Sequence, residues 1–142
     1  MFAPPRLSVC VLVAALAALA SLPYTLNNVA VSYEYKGEFD KADTLIREAL
    51  AVEERVHGKK SPNYGDLLRT FASIRDEQGR RAEADSLIRE SVSVLRAALG
   101  PNHANYLRAL NMRATLRYVA NDMRSAAAAS REVTQSIGKG TR

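Results

Sequence analysis

Residues 26–50 read LNNVAVSYEYKGEFDKADTLIREAL, and residues 68–92, shifted by 42, read LRTFASIRDEQGRRAEADSLIRESV. Matched columns pair Leu26 with Leu68, Ala30 with Ala72, Gly37 with Gly79, Ala42 with Ala84, Arg47 with Arg89 and Glu48 with Glu90. Leu110, Ala114, Ala126, Arg131 and Glu132 continue five of these columns into a third copy. Gly58 with Gly100 and Tyr64 with Tyr106 repeat at the same offset. A fixed period of this length marks a repeat array, in which each unit buries its apolar face against the next.

Each unit reads as two antiparallel helices. Helix A of unit one is expected from about Tyr24 to Lys36, stopping at Gly37, a residue suited to a helix end. Helix B resumes near Phe39, and Phe39, Ala42, Ile46, Ala49 and Leu50 then recur at helical spacing on one face. Ala84, Leu87, Ile88, Val92 and Leu95 repeat that stripe in unit two. The alanine columns have a steric cause: helices that cross at close range need a small side chain there, and Ala30 against Ala42 is the expected contact. Between units the chain passes Gly58 to Pro62 and Gly100 to Asn105, with Ser61 before Pro62 reading as an N-cap followed by proline at the first helical position. A composition dominated by Ala, Leu, Arg and Glu agrees with an all-α chain, and 47% hydrophobic content excludes wholesale disorder.

The run Leu26, Asn27, Asn28, Val29, Ala30, followed by Gly37, Phe39, Ala42 and Ala49, resembles the tetratricopeptide repeat. The 42-residue period, with Leu99, Gly100, Pro101, Asn102 and His103 between units, resembles the longer variant of kinesin light chains and many bacterial repeat proteins. The resemblance covers residues 21–137 and implies helical hairpins stacked as a short right-handed solenoid of about three units. The third departs from the pattern. Asn121 replaces the turn glycine, Arg113 and Arg117 stand where unit one has Val29 and Tyr33, and the last helix carries an alanine run from Ala126 to Ala129. Those arginines fit a solvated terminal cap. Residues 138–142 make a basic tail.

Ahead of the repeats, residues 7–22 carry no charge and close on Ala18, Leu19, Ala20 before Ser21, the layout of a secretory signal. As a helix this stretch reaches roughly 24 Å, short of the roughly 30 Å hydrocarbon core, which favours a cleaved signal over a membrane anchor. If residues 7–22 instead belonged to the fold, the protein would be cytoplasmic; a truncated upstream repeat is disfavoured because its loop glycine would fall at Leu16. The expectation is therefore residues 1–20 as signal or anchor and an exported or membrane-anchored product, in a bacterial setting that the Ala and Arg richness suggests. Cys10 is the one cysteine, so no intrachain disulfide or thiolate metal cluster forms.

No catalytic constellation emerges. His57 and His103 share no column and no metal-ligand spacing, and neither a nucleophile motif nor a phosphate-binding glycine loop is present. An enzyme, a cofactor, a metal and a small-molecule substrate are not expected. Charge is uneven: residues 96–142 hold 8 Lys/Arg against 2 Asp/Glu, an asymmetry that can mean an acidic partner, anionic lipid or nucleic acid, although solvated arginine on exposed helix faces is its commoner cause. Without a reading motif or aromatic platform it does not predict nucleic-acid binding. Membrane contact is expected only through residues 7–22.

What the resemblance implies about function is a concave groove lined by the A helices, holding a peptide or partner helix. Counting around helix A puts Asn27 or Asn28 on the outward face, and the residues assigned to the groove are Asn28 and Tyr35 in unit one, Arg69 and Ser73 in unit two, and Arg108, Asn111 and Tyr118 in unit three. Asn28 is the best match to the asparagine that bonds the ligand backbone in peptide-binding relatives. The two-carboxylate clamp of chaperone-binding relatives is not reproduced at Asn27, Val31, Thr70 and Met112. The alternative is a structural subunit that completes its core by packing with another chain.

Overall fold

A computed structural model describes residues 7–139, without the side chains of Leu7, Ser8 and several residues after Arg124. Among the described residues the chain is five helices: α1 (Leu7–Tyr35), α2 (Phe39–Val56), α3 (Pro62–Glu77), α4 (Arg81–Leu99) and α5 (Ala104–Lys139). The all-α hairpin architecture is as expected. The pairs α1/α2 and α3/α4 are the two hairpins, and α1, α3 and α5 form the layer of A helices.

The two hairpin turns are built alike. Gly37 and Gly79 sit at φ 75° and 76°, with open space around both, so it is backbone conformation that requires glycine there. Gly37 N–H donates to the Glu34 carbonyl at 2.9 Å and Glu38 N–H to that of Tyr33 at 2.9 Å. Gly79 and Arg80 do the same to Asp76 and Arg75, both at 2.8 Å. At the start of α3, Ser61 Oγ accepts the Tyr64 N–H at 3.0 Å with Pro62 in the first turn, the N-cap expected from the sequence. Buried Glu53 organises the same linker: its carbonyl accepts from His57 and Gly58, and its carboxylate takes the Ser61 hydroxyl at 2.6 Å. His57 Nδ1 lies 3.2 Å from that carboxylate.

Two apolar clusters run through the stack. Ala30, Ala42, Ile46 and Ala49 meet Leu67 and Ile74 of α3 in the first. Ala72 of α3 joins Ala84, Ile88, Val92 and Leu95, with Tyr106, Ala109 and Leu116 of α5, in the second. Ala30 and Ala42 are fully buried together, as the small-residue column requires. Gly65 shows how tightly α3 meets α4: a Cβ there would stand 2.7 Å from Leu95 Cγ, while Ser91 Oγ donates to the Gly65 carbonyl at 2.7 Å.

Both ends differ from the sequence expectation. Helix A of unit one does not begin near Tyr24; α1 is continuous from Leu7. By register, Pro62 and Ala104, the first residues of α3 and α5, correspond to Ala20, so Leu7–Leu19 is an extension beyond the repeat helix. Its side chains, from Val9 to Leu19, are exposed and the core does not use them. Nothing in this apolar stretch stops a helix, which is why it propagates. Pro23 lies inside α1 and is buried.

Unit three is not a hairpin. The chain passes Asn121 without turning and continues as one helix to Lys139. The turn needs a positive φ that glycine adopts freely and asparagine at a cost, whereas the alanine run that follows favours an unbroken helix. Gly138 and Lys139, assigned to a basic tail, end this helix; residues 140–142 lie outside the described residues.

Candidate functional site

α1 and α3 lie side by side in the A layer, and the side chains between them line an open groove of about 670 Å³. Asn27, Val31, Glu34 and Tyr35 recur at helical spacing along one wall. Arg69, Thr70, Ser73 and Glu77 form the opposite wall, and Phe39 closes one end. Of the residues assigned from sequence, Tyr35, Arg69 and Ser73 therefore come together here. Tyr35 stands on the rim, 89% exposed.

Asn28 is exposed and does not line this groove; its carbonyl accepts the Ser32 hydroxyl at 2.9 Å. The asparagine on the wall is Asn27, half-buried, with an amide oxygen that is buried and has no donor. Arg108, Asn111 and Tyr118 are exposed on α5, outside the α1/α3 groove, Tyr118 at 75%. The groove described here is lined by residues of the first two units.

Its electrostatics are mixed. The Ser73 hydroxyl donates to the Glu34 carboxylate across the groove, tying α3 to α1. Burial raises the Glu34 pKa above the usual carboxylate value; the Ser73 hydrogen bond opposes this, the nearby Glu77 carboxylate adds to it, and Arg69 lowers it. Arg69 is already engaged, its Nε 3.4 Å from Asp66 Oδ1. Asp66 in turn accepts from Asn105 Nδ2 at 2.5 Å, linking α3 to α5. Glu77 has no hydrogen bond or ion pair among the described residues, so the wall of α3 presents a free carboxylate.

The residue that sequence reasoning missed is Arg75. Only 1% exposed, its guanidinium lies 2.8 Å from Asp43 of α2 and 3.3 Å from Glu83 of α4, and stacks on the Phe71 ring at 4.7 Å. Burial lowers its pKa, and the Asp43 carboxylate works against that fall. One side chain therefore joins three helices behind the groove. The only sequence signal available was the recurrence of Arg at 75 and 117 with Asp at 43 and 85.

Among the described residues no group of three or more His, Cys, Asp or Glu is placed to hold a metal ion. A family model for the tetratricopeptide repeat matches residues 21–97. The chain belongs to the tetratricopeptide repeat family, whose repeats generally mediate protein–protein interaction and are not catalytic. Among curated proteins no relative matches it.

Proposed function

We propose that the protein is an interaction module that holds an extended peptide segment of a partner protein in the α1/α3 groove. The observation that carries this reading is the unbonded Asn27 amide on a wall that also offers Val31, Tyr35 and the free Glu77 carboxylate. An amide without an internal partner is suited to a ligand's backbone, and the aromatic rim supplies area at low entropic cost. With Glu34 and Glu77 facing a single, already paired arginine, the groove favours a peptide carrying a basic side chain. The test is an array of short randomised peptides probed with the full chain in mild detergent. Asn27→Ala and Tyr35→Ala, each folded by circular dichroism, should weaken the selected peptides about tenfold or more. Selected peptides that bind both variants as tightly as the parent overturn the groove.

A second reading, a structural subunit that completes its core against another chain, is favoured by one comparison. Ala30 and Ala72 are fully buried, yet Ala114 in the same column is exposed, with Leu107 and Leu110 bare beside it. A concentration-dependent dimer mass in solution, lost in Leu110→Lys, supports this reading, and a monomer at all concentrations removes it.

The extension of α1 is read as an export signal that leaves Ser21 as the first residue. Ala20 is where the repeat's helix begins by register, and cleavage there places Pro23 in a first turn, where a missing N–H costs nothing. Intact mass from an export-competent host tests it: a soluble product starting at Ser21 supports cleavage, and a full-length product in the membrane fraction makes the extension an anchor.

A further inference from the structure

Two arginines of the basic C-terminal third, Arg117 and Arg124, gather with Arg81 and Arg89 where α4 meets α5. A cleft of about 460 Å³ there is lined by Arg81, Arg89, Arg117 and Arg124, and among the described residues Asp85 is the one carboxylate on its walls. Asp85 is already engaged, its Oδ2 3.1 Å from the Arg89 guanidinium. Arg81 reaches Asp76 at 3.4 Å and rests against the Met123 sulfur. Arg117 and Arg124 are exposed and make no hydrogen bond or ion pair among the described residues. The first turn of α4 lies on the same cleft and adds the positive end of its dipole.

What the cleft lacks is defined by the preceding interface, 42 residues earlier. Arg75 occupies the column of Arg117, Asp43 that of Asp85, and Arg47 that of Arg89. There the guanidinium of Arg75 is held between two carboxylates, Asp43 at 2.8 Å and Glu83 at 3.3 Å. The position matching Glu83 is Ser125. Asp85 pairs with Arg89 as Asp43 pairs with Arg47 at 2.9 Å, but unlike Asp43 it makes no ion pair with the next arginine of the column among the described residues, and the other carboxylate of the second clamp is missing from the sequence.

We propose that this cleft binds an acidic peptide segment of a partner protein, whose carboxylate takes the place beside Arg117 that Glu83 takes beside Arg75. The site is separate from the α1/α3 groove and opposite to it in charge. A planar guanidinium pairs with a carboxylate in the geometry the chain already uses at Arg75. Leu116 and Ala120 give the cleft an apolar floor that suits a peptide better than a bare inorganic anion. Among the described residues no aromatic side chain lines it to give a stacking platform for single-stranded nucleic acid.

The test is fluorescence anisotropy of a labelled hexaglutamate peptide with the full chain in mild detergent. Binding should weaken about tenfold or more in the double variant Arg117→Gln/Arg124→Gln and fall with added salt. Arg55→Gln/Arg96→Gln, which removes exposed arginines outside the cleft, should change it less than about twofold. Asp85→Asn, which removes the competing carboxylate, should tighten it. Equal losses in the two arginine pairs, or no tightening in Asp85→Asn, overturn the cleft as the site. Displacement of the peptide by oligothymidylate at lower concentration than by unlabelled hexaglutamate overturns the acidic peptide as its ligand. No binding of hexaglutamate at low salt overturns the proposal outright.

Discussion

The double hairpin α1–α4 and the single helix α5 descend from the same 42-residue pattern and end in different structures. Where Gly37 and Gly79 turn the chain, Asn121 lets it run on; where Ala30 and Ala72 are sealed, Ala114 is exposed. Arg75 is clamped between carboxylates from two helices, while Arg117 in the same column has none among the described residues. The comparison teaches that matched columns do not suffice for a repeat unit. The turn residue decides whether a second helix folds back over the columns, and a second carboxylate whether the arginine is clamped or left open to solvent and to a partner.

The sharpest way to break the comparison is at the clamps. Asp43→Ala leaves buried Arg75 with Glu83 as its one carboxylate, beside its 2.8 Å hydrogen bond to Gln78, and should cost about 3 kcal/mol in urea unfolding, whereas Asp85→Ala should stay within about 0.5 kcal/mol. The turns come next. Gly79→Ala forces a side chain into a positive φ and should cost about 1–2 kcal/mol, while Asn121→Ala, inside a straight helix, should be neutral or slightly stabilising and raise helicity. A cost at Asn121 equal to that at Gly79 would mean that α5 turns there in solution. Asn121→Gly should instead lower the helicity of α5, at about 0.5–1 kcal/mol, unless the hairpin forms.

The smallest expected effect is in pH. Because the folded-state pKa of Glu34 is raised, the folded chain keeps a proton that the unfolded chain has already lost. Stability therefore falls as pH rises from the ordinary carboxylate value through the raised one. Glu34→Gln should remove that slope and leave the profile flatter between acid and neutral pH, measured as denaturant midpoints. A slope unchanged in Glu34→Gln would assign it to another carboxylate.

The glycine and alanine columns made the hairpins legible because each encodes a local demand, a positive φ or a close crossing, that shows in one chain. The start of α1 was not legible, since Leu7–Leu22 contains nothing that ends a helix and the boundary is set only by where packing begins. Asn121 was ambiguous for a related reason, tolerating both the turn and the helix. In the site, the shift from Asn28 to Asn27 is one residue, but one residue rotates a side chain about 100° around the helix axis. Tyr35, Arg69 and Ser73 come together because periodicity puts them on the outward face of their A helices, the face that the family resemblance implies lines a groove. Arg75 was hidden because its partners come from α2 and α4, and such a meeting is written in the packing rather than in any stretch of sequence.

Helix α3 gives Leu67 and Ile74 to one cluster and Ala72 to the other. It has no solvent-facing side broad enough to open first, since either cluster must be breached before its backbone is freed. In a stack whose units touch only their neighbours, amide hydrogen exchange should then be graded along the chain. Protection should be greatest in α3, lower in α2 and α4, and least in the exposed extension of α1 and the far half of α5.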